Sequence, residues 1–453
     1  MSASVTQLRP RTGSLENALA AFRAARLEAC LSELHGIRST GAALLQARAL
    51  LRLGDPGRAL DALGLAGALE TRDLGEVALL RAVSLSRLGR PEESADAFVD
   101  ARVFAVSSAD PALQAEVEFY LALDAFGESN LDETRAACRR ALEIAGAAQT
   151  FASRSCGLVP LAHVVARTQE LLGLVEAAEG RYGEWYVAAC RALATLDASA
   201  VKDLYQEAFA LKNLAILARD FDLRDEAQKI GERVANFAWT DEIAQQSFTA
   251  ADALGWCSAL HGNPTDALRW FREAAARATS IPERVQAAVS KATLIRELGC
   301  EPVAREELEH ALALASTCDW ETAAGDHRLV LLSLAQAVAS LAPQRAREFL
   351  DRYCGIRNAM DFRFVSRHEA RVRAEEAFTQ GLVLRAERRV AASTEQLTLA
   401  FDTWESIGYE WRASRAALEL AELDAGDVFR KAVRRELVQR PQSLFATRAR
   451  LIA

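Results

Sequence analysis

Along this 453-residue chain, apolar residues recur at intervals of three and four, with charged residues between them. That spacing builds a helix with one buried face, whereas a half-buried strand would alternate at every second position. The pattern is interrupted at regular intervals by a short break. In LLQARALLRLGDPGRALDAL (44–63) and LLRAVSLSRLGRPEESADAF (79–98), an amphipathic helix, a break with glycine and a second amphipathic helix follow one another. The same order recurs in LGWCSALHGNPTDALRWF (254–271) and KATLIRELGCEPVAREEL (291–308).

Aligned on one another, these four segments share a small residue in the first helix (Ala47, Ala82, Gly255, Ala292) and a glycine seven positions on (Gly54, Gly89, Gly262, Gly299). A second small residue follows (Ala59, Ser94, Ala267, Ala304), and then a large apolar one (Leu63, Phe98, Phe271, Leu308). The spacing has a physical cause. Two antiparallel helices joined by a tight turn approach closely only at small side chains, and a helix ends readily at a glycine in the left-handed conformation. Proline supports the register: Pro56, Pro91, Pro264, Pro302 and Pro343 all fall at the expected start of a second helix, where the missing N–H is harmless. Weaker copies occupy 18–34, 120–145, 171–196, 211–234, 332–353 and 378–404. About nine or ten helical hairpins are therefore expected, with a flexible tail over 1–13, one repeat domain over 14–425 and a basic capping helix or tail over 426–453.

The pattern resembles the tetratricopeptide repeat (TPR). Residues 248–278 carry its small–Gly–Ala–aromatic–Ala signature as Gly255, Gly262, Ala267, Phe271 and Ala274. Longer repeats and missing glycines elsewhere are similar to the helical-repeat sensor regions of large bacterial transcription regulators, and LAFDTWESIGYEWRASRAALELAEL (399–423) resembles their last repeats. The resemblance implies an all-α, TPR-like α-solenoid forming a right-handed superhelix, and a role in protein interaction, in a bacterial regulatory setting. Such regulators carry a nucleotide-binding module before the repeats and a helix-turn-helix after them, and neither pattern occurs in this sequence.

Composition agrees with a helical array: 51% of residues are apolar and only 7% aromatic, with 24 glycines and 10 prolines. The net charge of −8 argues against a body that binds polyanions generally. The eight cysteines form no CxxC pair, the six histidines form neither HExxH nor HxH, and no glycine precedes a lysine as a P-loop requires. The expectation is a non-enzymatic protein with no metal and no cofactor. The first dozen residues hold no apolar stretch of a signal segment, and no run is long enough to span a membrane, so a cytoplasmic protein without membrane contact is expected.

A stacked array leaves a concave groove lined by its first helices. The register places Arg48, Arg52, Leu79, Glu116, Phe119, Phe126, Arg167, Glu170, Phe209 and Lys212 there. It adds Arg219, Asp252, Trp256, Thr293, Arg296, Phe378 and Arg385 from the later repeats. Arginines and aromatics on a rigid surface are the residue types that anchor a peptide or helix of a partner protein. The alternatives are packing between repeats for the aromatics, and a sensor of a small ligand or peptide for the array. Two basic patches stand apart. Arg363, Arg367 and Arg371 recur every four residues, and Arg430, Lys431, Arg434 and Arg435 belong to a C-terminal stretch (428–453) with seven basic residues against one acid. Nucleic acid is therefore expected as a partner only indirectly or through that tail, whose simpler reading is a solubilising cap.

Overall fold

The computed structural model describes residues 14–67, 70–148, 159–323, 325–359 and 369–452. These form 23 α-helices and two short 3-10 turns, with no strand among the described residues. The first four hairpins are α1 (Leu15–Arg23) with α2 (Leu27–Leu34), α3 (Thr40–Arg52) with α4 (Pro56–Leu63), α5 (Thr71–Arg87) with α6 (Pro91–Ser108), and α7 (Pro111–Gly127) with α8 (Leu131–Ala148). The middle three are α9 (Leu161–Ala178) with α10 (Tyr182–Ala198), α11 (Leu204–Asp220) with α12 (Arg224–Asn236), and α13 (Ala244–Leu260) with α14 (Pro264–Arg277). Then come α15 (Ile281–Glu297) with α16 (Glu301–Ser316), α17 (Val330–Val338) with α18 (Pro343–Ala359), and α19 (Glu369–Ala386) with α20 (Val390–Ser406). An eleventh pair, α21 (Glu410–Glu422) with α22 (Asp427–Gln439), is followed by the short α23 (Ala446–Ile452).

The architecture is the expected all-α solenoid of consecutive antiparallel pairs. Eleven hairpins are formed among the described residues, against about nine or ten expected. In the stretch expected as a basic capping helix or tail, α22 packs on α21. Its basic residues lie on the exposed side of that helix while Phe429, Ala432 and Val433 are buried.

The turn chemistry explains both the strong and the weak copies. Gly54, Gly89, Gly262 and Gly299 all have φ between +71° and +82°, so the aligned glycines close their hairpins in the left-handed conformation. Where glycine is missing, Ser129, Asp222 and Arg388 adopt that conformation instead, at a cost of roughly 1–2 kcal/mol each relative to glycine. The hairpin geometry persists while the sequence signature fades. The close approach of paired helices is visible at Gly255, where an added Cβ would lie 2.4 Å from the Phe271 ring. Pro56, Pro91, Pro111, Pro264 and Pro343 each open a helix, and Pro282 and Pro302 stand at the second position of theirs.

First helices pack directly on the first helices of neighbouring hairpins from α1 through α19, while second helices pack on the first helices flanking them. The first helices thus form the closely spaced, inner layer of a curved stack. The expected groove residues lie on this layer.

Candidate functional site

Curvature brings distant hairpins into contact across the inner layer. In the N-terminal half, the Arg52 guanidinium on α3 grips the Asp203 carboxylate with both ends, at 3.1 and 2.6 Å. Asp203 is also the N-cap of α11 and accepts the Tyr205 backbone N–H at 3.1 Å. The Thr240 hydroxyl donates to the Ala25 carbonyl at 2.8 Å, and Ala25, Ala208 and Ile243 pack together beside it. Hairpins one and two are thereby tied to hairpin six.

Inside this coil lies a chain of buried charges. Arg48 donates to Glu76 at 2.9 Å and with both terminal nitrogens to Glu116 at 2.8 Å. Burial opposes ionisation of Glu116, but Arg48, helped by Arg167, outweighs it and holds the carboxyl below its ordinary range. Glu170 behaves oppositely. Burial pushes its carboxyl up to about 7, against the pull of Lys212, the Asn213 amide at 3.3 Å and Arg167. Burial also lowers the pKa of His163, whose Nε2 lies 2.8 Å from the Val201 carbonyl.

A cavity of about 380 Å³ opens beside this network. Six expected groove residues (Arg48, Arg52, Phe119, Arg167, Glu170, Phe209) line it. Phe22, Arg87, Tyr120, Tyr205 and Gln206 complete its polar and aromatic wall. Arg52 lies between the Phe22 and Tyr205 rings, at 3.9 and 4.7 Å from their centres, and Arg167 lies over Phe119 and Tyr120 at 4.2 and 4.9 Å. Such stacking holds a guanidinium rigidly. Lys212 covers the Phe209 ring at 3.7 Å. Sequence reasoning missed Phe22 and Tyr205 because they sit in copies whose register no glycine marks.

The C-terminal half differs: its inner layer is filled by the chain itself. Tyr409, at the start of α21, donates its hydroxyl to Asp220 of α11 at 3.3 Å, and its ring packs on Tyr182 and Phe221. Trp256 stacks on Trp411 with ring centres 6.5 Å apart. Arg296 donates to the Ala337 carbonyl at 2.9 Å, Arg219 to Asp220 at 2.7 Å, and Arg385 to Glu422 at 2.8 Å and to Glu419. Phe378 is fully buried under Arg415 and against Trp404, and Phe126 is 8% exposed. Both are core residues, as is Phe119 at 5% exposed; what separates Phe119 from them is that it also lines the cavity, whereas Phe126 and Phe378 do not. Leu79 is likewise fully buried. Asp252 and Thr293 are buried as well, and Ser290 donates to Asp252 at 2.8 Å.

The tail closes over this half. The Leu444 N–H donates to the Ala259 carbonyl at 3.1 Å, and Gln442 sits so close to Gly262 that a Cβ there would meet its carbonyl oxygen at 2.3 Å. Arg440 pairs with Asp222 and Glu436, and Arg448 with Glu419 and Glu422 at 2.9 and 2.8 Å. Arg430 pairs with Asp424 at 2.5 Å and Arg435 with Glu405 at 3.2 Å, while Lys431 and Arg434 are exposed. Of the other patch, Arg363 and Arg367 lie outside the described residues, and Arg371 lies 3.8 Å from Asp220.

Among the described residues, no group of three or more His, Cys, Asp or Glu side chains is placed to hold a metal ion, and no helix is long and apolar enough to cross a membrane. No protein-family model and no curated protein sequence matches the chain. Among solved structures, it is similar to a chain of the APC/C hetero-tetramer Cut9–Hcn1, at 12% identity over 96% of this chain and 94% of that one, with a TM-score of 0.31. It is also similar to an IFIT1 monomeric mutant with Gppp-AAAA, at 15% identity over 89% of this chain and 98% of that one, with a TM-score of 0.32.

Proposed function

We propose that this protein is a non-enzymatic interaction scaffold that grips a peptide or helix of a partner protein on the inner layer of its N-terminal half. The bacterial regulatory setting implied by the sequence resemblance belongs to this proposal. One observation carries it: Arg48, Arg52, Phe119, Arg167 and Phe209, from four different hairpins, converge on one open cavity. The equivalent surface of the C-terminal half is occupied by α21 and the tail. Stacked guanidiniums and aromatic rings on rigid helices give anchoring groups that lose little freedom on binding.

The test is capture of partners by the intact protein and by an Arg87→Ala/Phe209→Ala variant, with Lys431→Ala as control. The scaffold reading expects one partner to be held by the intact and control proteins and released by the inner-layer variant. Equal retention by all three would overturn it. The nucleic-acid reading draws less support, since four of the tail's arginines pair with the chain's own carboxylates.

A further inference from the structure

The cavity of the N-terminal coil has the size of a small-molecule site, and its volume of about 380 Å³ is near the lower end of the range such sites occupy. Among the described residues, its walls combine aromatic and aliphatic side chains with four arginines and a single carboxyl, Glu170. That balance disfavours a cationic ligand and favours an apolar body with a negative group.

The arginines are not equivalent. Arg48 gives its donors to Glu76 and Glu116, and Arg52 gives both ends of its fork to Asp203. Arg87 is exposed at the rim and donates to the Leu51 carbonyl. Arg167 is different: its side chain is only 14% exposed, and its nearest acid is Glu116 at 3.6 Å. At 3.6 Å this contact is beyond hydrogen-bond range, so Arg167 gains charge balance there without a hydrogen bond. Its guanidinium lies over the Phe119 and Tyr120 rings, and the residue lines the cavity. A buried guanidinium with unused donors is a site for a planar anion, which it can hold with two parallel hydrogen bonds.

We propose that this cavity binds a small organic acid, an aromatic or branched apolar body with one carboxylate, and that Arg167 holds the carboxylate. One carboxylate suffices because, among the described residues, Arg167 is the one cavity arginine that is both buried and without a hydrogen-bonded carboxylate; a dianion would need a second. Glu170, three residues further along the same face of α9, offers one additional hydrogen-bonding group. The acid site shares its wall with the proposed scaffold surface but needs no protein partner.

The experiment uses the full chain, titrated calorimetrically with phenylacetate, 4-phenylbutyrate and octanoate, each beside its primary amide. Saturable binding of at least one acid with Kd below about 1 mM, and about tenfold weaker binding of its amide, is expected. Arg167→Gln should weaken the acid at least tenfold and leave the amide unchanged. Leu123→Trp, at a partly exposed wall position, should abolish binding of both by filling the space while the helical spectrum is retained. Equal affinity for acid and amide, or acid binding that survives both substitutions, would overturn the proposal. So would failure of every acid to bind. If a peptide ending in phenylalanine bound while the free acids did not, the small-acid site would fall and the scaffold reading would stand.

Discussion

Arg48 and Glu116 meet through two parallel hydrogen bonds of 2.8 Å, 68 positions apart in sequence, with 5% and 3% of their surfaces exposed. Glu76 takes the remaining side of the guanidinium and is 1% exposed. One arginine thus bonds carboxylates from two further hairpins, with Arg72 beside Glu76 at 3.3 Å and Arg167 beside Glu116 at 3.6 Å completing the charge balance. Arg48→Met would leave both buried carboxylates without their main hydrogen-bonding partner and should destabilise the protein by about 3–5 kcal/mol. Adding Glu76→Gln and Glu116→Gln should recover part of that loss. Urea unfolding of the single and triple variants checks this, and an additive triple variant would contradict the coupling.

Gly255→Ala should cost about 1–3 kcal/mol, since its methyl group would overlap the Phe271 ring. Gly299→Ala meets nothing within 4 Å, yet its φ of +82° makes it cost roughly 1–2 kcal/mol by backbone strain alone. Phe271→Leu should therefore relieve the first change and leave the second untouched, which thermal unfolding of the two double variants can distinguish.

The contributions of Glu170 and Asp252 to stability should fall as pH rises from about 5 to above 7, opposed in part by His163, whose lowered pKa favours folding as pH rises. Burial raises Glu170 to about 7, and Asp252, facing Ser290 and Arg219, to about 6. At these two carboxyls the folded state therefore binds more protons than the unfolded one in this window, so each group stabilises at low pH and loses that contribution as it ionises. For Glu170, which faces Arg167, Lys212 and Asn213, the loss is on the order of 3 kcal/mol. Glu170→Gln should flatten the profile and be more stable than the parent at pH 8. Unfolding midpoints across this range test it, and an unchanged slope would rule it out.

Deleting 440–453 removes the Leu444–Ala259 hydrogen bond and the Arg440 and Arg448 ion pairs. Amide exchange should speed up at the end of α13 and in α21, while α3 and α5 stay protected. Were the segment instead a nucleic-acid contact, its deletion would abolish a strongly salt-dependent binding and leave exchange at α13 unchanged.

The inner-layer position of the candidate residues was legible in part. Arg48, Arg52, Phe119, Arg167 and Phe209 could be placed on the inner layer from helical register alone, because each sits on a fixed face of a first helix. Phe126 and Phe378 occupy the same kind of position, yet they pack into the core without lining the cavity. Register tells which side of a helix a residue is on, but not how tightly the next hairpin covers that side. Phe22 and Tyr205 were not identified, since their place beside Arg52 depends on hairpins one and six meeting.

What the amino-acid order determined by itself was local: the helices, their ends at Gly54, Gly89, Gly262 and Gly299, their starts at the prolines, and the small–large contacts within a pair. Each follows from helical periodicity, from the left-handed turn that glycine tolerates, or from the N–H that proline lacks. Only the tertiary structure decided that Arg52 reaches Asp203 across 151 positions and Tyr409 reaches Asp220 across 189. It also decided that the inner layer of the N-terminal half keeps an open cavity while that of the C-terminal half is covered by α21 and the tail. Those outcomes depend on small rotations between successive hairpins, which accumulate over the whole stack and leave no mark in any single repeat.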